Sequence, residues 1–432
     1  MSLPVDPEKS KSGSKAALVS ISSALGWGFE LFDFTSFMFA ATYFAPYFFP
    51  SADPNTSVLY AFVTSAIAFI SRPIGGFVFG HYGDRLGRKS VWFTALLGMG
   101  LVSFALGCLP TYQQVGILAT LLMVILRGLQ GFFLAGEMAG GWTLTAEVAP
   151  AKWRAFFTGI VATGSTMSGL FLSMAIFVAN AFAPGAQMGI WGWRIIFWVG
   201  LLPLAVALII RWRAAESVEW KLKAKPKVEK IPFLAAIRTD LKFFLVIFFS
   251  FAGQALFLYG SVTFLPSFFR LYTKFSPADI ATIVLITNIF SLCAAPIWGL
   301  VSDVRKSRKK FIAIGFIINA LTLYPVMNII GLNQFWPAVF ANVLLCLFVP
   351  MSISALPIWI AENTRSTIRY SMTAVGSGFG AALGGIAPIL VVQFSPSFGS
   401  VNTVTAVATF GCIMAIIAML LSPPDRAKQE LK

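Results

Sequence analysis

Residues 311–361, FIAIGFIINALTLYPVMNIIGLNQFWPAVFANVLLCLFVPMSISALPIWIA, contain no Asp, Glu, Lys or Arg. A bilayer-spanning helix needs roughly 20 apolar residues, so this run holds two spans joined by a turn at GLNQ. Three more such runs follow the same rule: 90–126, 155–193 and 370–424. Across the whole 432-residue chain 57% of residues are hydrophobic and 11% charged. Soluble domains run near one quarter charged, so a soluble enzyme and a disordered chain are both excluded. The sequence reads as an all-α polytopic membrane protein.

The net charge of +15 raises a nucleic-acid partner, but its placement argues for topology instead. Alternating spans from an inside N-terminus puts all but five of the 32 Lys and Arg on one side, the exceptions being Arg72, Arg127, Arg194, Arg270 and Lys274. That is the positive-inside bias; it predicts cytoplasmic termini, an even number of spans and a multi-pass protein of the cell membrane. The polar N-terminus lacks the apolar core of a cleaved signal peptide. Cys108, Cys293, Cys346 and Cys412 stand singly in apolar runs, which gives no disulfide or metal spacing and predicts buried, inert thiols.

Helices placed between the charge clusters number twelve, at about 17–45, 57–80, 91–110, 116–146, 155–181, 194–211, 243–268, 278–301, 311–331, 336–361, 370–395 and 401–422. The expected organisation is a tail (1–16), a six-helix bundle (17–211), a polar central loop (212–242), a second bundle (243–422) and a tail (423–432). The halves echo each other. Glu147 and Arg154 lie seven apart where the fourth span ends; Glu362 and Arg369 lie seven apart where the tenth ends, 215 residues on. Asp84 and Asp303 follow the second and eighth spans. Repetition at half the chain length marks a duplicated bundle of the kind secondary transporters build around a midplane site.

The loop Gly80-His81-Tyr82-Gly83-Asp84-Arg85-Leu86-Gly87-Arg88-Lys89 resembles the signature of the major facilitator superfamily. SRPIGGFVFG (71–80), RGLQGFFLAGE (127–137), AEVAPAKWR (146–154), WGWRIIFWVG (191–200), ESVEW (216–220) and ELFDF (30–34) are similar to its metabolite–proton symporter branch, related to sugar porters. The second-half loop, starting at Asp303, lacks the glycine two residues after its first arginine, and ENTRSTIRYS (362–371) departs from the branch at Asn363 and Ser366. The resemblance implies twelve spans in two bundles, and alternating access gated by Gly80, Gly83, Asp84, Arg85, Gly87, Arg88, Lys89, Glu147, Arg154, Asp303, Glu362 and Arg369. Charges at the inner mouths of two rocking halves can pair when that side closes and hydrate when it opens; otherwise they are topology determinants.

Ionisable groups within spans are costly and persist where they pair or line water. Here they are Glu30 and Asp33, Arg72, Arg127 and Glu137. Glu30 and Asp33 share a helix face at a spacing of three. Arg127 sits roughly 16 Å into its span at 1.5 Å per residue, within reach of either carboxylate. Asp33 is the expected proton carrier and Arg127 its switchable partner: when the guanidinium moves away, burial favours the neutral acid and a proton is taken. Proton-coupled sugar porters resemble this arrangement of a span-one Asp and a span-four Arg. A fixed structural ion pair is the bland reading. Glu137 reads as a second relay position, Arg72 as a kink anchor beside Pro73 or an anion contact, and His81 as part of the gating loop.

For substrate contact the second half offers Gln254, Tyr259 and Asn288, with Asn342 and Gln393 weaker; polar glue between helices explains any of them equally. Gln254 and Tyr259 are about 140° apart on a helix, so both do not face one cavity. The 43 Phe and 12 Trp read as facing lipid or the interface. The branch resemblance, with Arg127 and Arg72 as the basic mid-span groups, implies symport of a proton with a small organic acid, whether mono-, di- or tricarboxylate or aromatic. A neutral sugar or polyol, or a zwitterionic osmolyte, is the alternative cargo; a non-transporting sensor is the remote one. No nucleophile–base pair or metal cluster stands in the sequence, so no catalysis, metal or cofactor is expected. The expected partners are substrate, proton and lipid, with a single chain sufficing.

Overall fold

In hydrocarbon every backbone N–H and C=O must be satisfied within its own segment or a closed barrel, and the apolar runs resolve this as helix throughout. The structure, a computed structural model, describes residues 7–86, 88–134, 142, 145–146, 148–201, 205, 241–305, 307–364 and 376–423. Within them the spans are α1 (Pro7–Phe48), α2 (Pro54–Leu86), α3 (Arg88–Gly107), α4 (Ile117–Leu134), α5 (Ala151–Phe182) and α6 (Met188–Val199). The second set is α7 (Leu241–Tyr272), α8 (Pro277–Val304), α9 (Arg308–Gly331), α10 (Phe335–Asn363), α11 (Gly376–Phe398) and α12 (Ser400–Leu421). The connection between the second and third spans is shorter than the sequence reading had it: α2 runs on to Leu86 and α3 opens at Arg88, so Gly80 and Gly83 are helical.

Prolines decide where the second-half helices break. A proline lacks the N–H for its i−4 bond and clashes with that carbonyl. Accordingly α7 stops at Gly260 and resumes at Leu265 around Pro266, and α8 stops at Ser291 and resumes at Ala294 before Pro296. α10 breaks at Val349 before Pro350, and α11 turns at 385–386 before Pro388. Helix starts outside the membrane carry side-chain caps. Asp53 accepts from the Thr56 hydroxyl (2.8 Å) and from the amides of Asn55 and Thr56 (3.1 Å each), and these bonds, the Thr56 hydroxyl first, hold its carboxyl below the usual range. Ser276 and Asp279 form a capping box on α8.

The halves meet where α5 packs against α8 and α10, where α2 packs against α11, and where α1 packs against the outer part of α7. Adding six to each label turns the α2–α11 pair into the α8–α5 pair, as a repeated six-helix unit requires. Glycines set the closeness of approach. A Cβ at Gly159 or Gly299 would overlap backbone carbonyls of the facing helix, at Ala295 and Ala155 respectively.

Outward surfaces are apolar, with Ile70, Ile74, Phe290, Leu321, Phe340 and Leu420 among the exposed large side chains. The aromatic residues of α1 depart from the lipid-facing expectation: Phe29, Phe37, Phe39, Phe44 and Phe48 are buried, and Phe37, Phe44 and Phe48 pack with Trp193 and Phe197 of α6. A central helix has neighbours on all sides, so its whole circumference is apolar. The thiols also depart from expectation: Cys108 and Cys293 are exposed and only Cys412 is fully buried.

Candidate functional site

The buried charges sort into two mid-helix clusters in the first half and one cluster at the end of the bundle that the charge bias assigns to the cytoplasm.

In the first cluster Asp33 of α1 meets α3 and α4. Ser103 and Gln130 both donate to Asp33 Oδ1, Gln130 Nε2 also donates to Ser103 Oγ (2.8 Å), and Arg127 Nη1 lies 3.7 Å from Asp33 Oδ2 while donating to Gln130 Oε1. The Arg127 guanidinium stacks on the Phe37 ring at 3.9 Å. Arg127 is 1% exposed and Asp33 5%. At this separation the pair interacts by on the order of 4 kcal/mol for an effective dielectric near 20, and removing one partner of such a buried pair costs about 3–5 kcal/mol. Gln130 and Ser103 escaped the sequence reading. The available signal was the i+3 spacing of Gln130 from Arg127, which puts it on the arginine's face.

The second cluster separates Glu30 from Asp33 despite their shared helix face. Glu30 Oε1 lies 3.4 Å from Arg72 Nη2 of α2, and the Arg72 guanidinium covers the Phe69 ring at 4.3 Å. Tyr259 of α7 enters from the other half. Its ring packs on Phe34 (5.0 Å) and Phe69 (5.4 Å), and its hydroxyl faces the Arg72 guanidinium. Gly385 of α11 leaves the room that Phe69 occupies.

At the cytoplasmic end Asp303, the last acidic residue of α8, accepts from the backbone amides of Ala155 (3.1 Å) and Phe156 (2.8 Å), the first turn of α5 in the opposite half. Helix N-termini carry unpaired amides and a positive dipole end, so a carboxylate from across the interface is favoured there. Arg308 organises this cluster from the start of α9, donating to Asp303 Oδ1 (3.0 Å) and to Glu362 through Nε (2.7 Å) and Nη2 (3.1 Å). Arg154 Nη1 reaches Glu362 Oε1 at 3.9 Å across the interface. Arg308 had been counted with a basic loop; its burial at 1% exposure follows from three helix ends converging, which no local pattern encodes.

Between the halves lies a cavity of about 50 Å³ lined by Thr35 of α1, Ser165, Ser168 and Gly169 of α5, Thr263 of α7, Thr287 and Asn288 of α8, and Asn342 and Cys346 of α10. That volume holds a few waters, so any metabolite needs it to widen. Among the described residues the Thr287 hydroxyl has no hydrogen-bond partner, while Asn288 donates to the Val284 carbonyl at 2.7 Å. Gln254 is buried on α7 and Tyr259 sits in its aromatic clamp; neither lines the cavity. Gln393 is exposed. At the outer end the Arg270 guanidinium lies 4.7 Å from the Tyr43 ring, and Phe62 packs on Phe264 at 5.9 Å.

Gly87, Glu137, Glu147 and Arg369 lie outside the described residues, as do the side chains of His81, Asp84, Arg85, Arg88 and Lys89. Among the described residues no group of His, Cys, Asp and Glu is placed to hold a metal ion.

A family model described as Major Facilitator Superfamily matches residues 18–286 and 243–432. A shikimate transporter of Escherichia coli is 28% identical over 96% of this chain and 96% of its own length. The inner membrane metabolite transport protein YhjE of Escherichia coli is 29% identical over 94% of each chain. A Staphylococcus haemolyticus chain provisionally named a proline/betaine transporter is 30% identical over 94% of this chain and 88% of its own. Among solved structures, the inward-open xylose transporter XylE of E. coli superposes with a TM-score of 0.69 at 15% identity, covering 96% of this chain and 99% of that one. The chain belongs to the Major Facilitator Superfamily. It is a multi-pass membrane transporter of that superfamily's metabolite–proton symporter branch.

Proposed function

We propose that the protein carries a small organic acid across the cell membrane together with a proton, by alternating access. The observation that carries this reading is the buried Asp33–Arg127 pair with Ser103 and Gln130. Ionised, Asp33 accepts from both neutral side chains and balances Arg127; protonated, it becomes a donor, and Arg127 is left to Gln130 and the Phe37 ring. All described partners of Asp33 sit on α3 and α4, so a proton gained there relaxes the packing of α1 within its own half. Asp303, Arg154, Arg308 and Glu362 act as the inner gate, stable with the cytoplasmic end closed and hydrated once the halves part. By the six-helix repeat of the sequence, Asp84, Arg369 and Glu147 are the counterparts of Asp303, Arg154 and Glu362.

A second cargo reading has its own support. The cavity lining combines hydroxyls and amides with apolar side chains such as Leu31, Leu172, Leu258 and Val284 and carries no charged side chain, which suits a neutral sugar, polyol or zwitterion. The names of the relatives divide in the same way, one for shikimate and one for proline or betaine. The test is uptake into proteoliposomes under an imposed pH gradient, inside alkaline, across hydroxylated and aromatic acids, sugars, polyols and betaine. Gradient-driven accumulation of an acid supports the reading, and accumulation that ignores the gradient refutes it.

A further inference from the structure

The two mid-membrane arginines are held differently, and the difference assigns them different tasks. Every described partner of Arg127 (Asp33, Gln130 and Phe37) belongs to the first half. The contacts of Arg72 are split: Glu30 and Phe69 come from its own half, whereas the Tyr259 hydroxyl comes from α7 across the cleft. When two halves rock apart, the bonds internal to each half persist and those between them open. Arg127 therefore stays shielded, while Arg72 loses Tyr259 and faces the widening cleft. The cavity walls include Leu31 and Leu258, the chain neighbours of Glu30 and Tyr259, so the cavity and this cluster lie at the same level of α1 and α7.

We propose that Arg72 is the anchor for a carboxylate of the cargo, and that Glu30 is the counter-charge this carboxylate displaces. The inference rests on the acid-symport reading and says where the acid group binds. A guanidinium offers a planar fork that matches a carboxylate in two parallel bonds. Glu30 Oε1 stands 3.4 Å from Arg72 Nη2, longer than the 2.7–2.9 Å of a tight charge-assisted bond. The charge balance is explicit. Before binding, Arg72 and Glu30 sum to zero. With the cargo anion on Arg72, the displaced Glu30 carboxylate takes one proton from the water of the open cleft, and the sum is again zero. Two anions sharing one guanidinium in a low-dielectric wall are avoided. Among the described residues the other charged or titratable groups close to this cluster are Asp33, Arg127 and Tyr259. A cargo built to this plan is an anionic carboxylate whose uncharged body meets a cavity lined by hydroxyls, amides and apolar side chains without charge.

The experiment measures binding to the purified full-length protein in lipid nanodiscs, by tryptophan fluorescence and titration calorimetry. Its probes are benzoate, cyclohexanecarboxylate and D-gluconate, each beside its uncharged amide, with betaine and xylitol. At least one acid binds the wild type and its amide does not. Arg72→Gln weakens that acid by about tenfold or more, as expected for loss of a charged hydrogen-bonding partner. Tyr259→Phe keeps the aromatic clamp, removes the hydroxyl that competes for Arg72, and tightens the acid by about three- to tenfold. Calorimetry in buffers of different ionisation enthalpy reads about one proton taken up per acid bound, and Glu30→Gln abolishes that uptake. The proposal is overturned if no acid binds the wild type, if the amides bind equally, or if Arg72→Gln and Tyr259→Phe both leave acid affinity unchanged. A pH gradient that fails to drive uptake in wild-type vesicles removes the symport reading, and these binding ratios are read independently of it.

Discussion

Asp303→Ala should open the cytoplasmic end. Its carboxylate makes two hydrogen bonds to the opposite half, to the Ala155 amide at 3.1 Å and the Phe156 amide at 2.8 Å. Hydrogen bonds to a charged group contribute about 1.5–3 kcal/mol each, net of water. Taking the low end, because the freed amides hydrate as the end opens, the pair favours the closed state by about 3 kcal/mol. At about 1.4 kcal/mol per tenfold, the ratio of open to closed molecules rises on the order of 100-fold. Arg308 retains its two bonds to Glu362, so the second half is not left with an unpaired buried cation. The assay is pulsed electron resonance between spin labels at Lys152→Cys and Arg305→Cys, exposed positions on α5 and just past α8, after the four native cysteines are replaced. The ratio of the long-distance to the short-distance population should rise by that factor. An unchanged distance distribution in a variant that melts like its parent would refute the gate assignment.

Gly299→Leu drives a side chain into the Ala155 carbonyl and should shift the same distance distribution toward the open state while stopping uptake. Gly131→Ala sets a methyl against the Ala68 carbonyl where α4 crosses α2; overpacking of this kind costs about 1–3 kcal/mol, read as a lower melting temperature. Gln130→Leu removes the amide that links Asp33 to Arg127, and should reduce pH-driven uptake far more than exchange at equal pH. Cys346 lines the cavity, so a membrane-permeant maleimide should inhibit uptake, and Cys346→Ser should remove that inhibition.

Much of this arrangement was legible because the membrane makes local signals strong. Runs free of charge, basic loops and the 215-residue echo fix twelve spans and two halves before any packing is known. The depth of Arg127 follows from counting 1.5 Å per residue, and its pairing with Asp33 follows because few other groups exist at that depth. Partner choice is where counting fails. Glu30 and Asp33 share a helix face, yet they pair with Arg72 and Arg127 respectively, since α2 and α4 approach α1 from different sides. Arg308 looked like one more topology charge because its partners, Asp303 and Glu362, come from two other helix ends. Phe34 and Phe69 read as lipid-facing rings, whereas they pack on each other and on Tyr259 of α7. The helix breaks fall beside Pro266, Pro296, Pro350 and Pro388, but Pro325 and Pro357 sit inside unbroken helices, so a proline in an apolar run does not by itself mark a break.

Asp33→Asn tests the energy coupling most directly, when one preparation of proteoliposomes is assayed twice with the same cargo. Exchange between equal cargo pools at equal pH needs only the halves to rock, so it should continue. Accumulation driven by a pH gradient loses the proton that Asp33 carries and keeps at most the one taken up at Glu30, so it should fall well below the wild-type rate. Gradient-driven accumulation at the wild-type rate in this variant would contradict the assignment of Asp33 as the proton carrier.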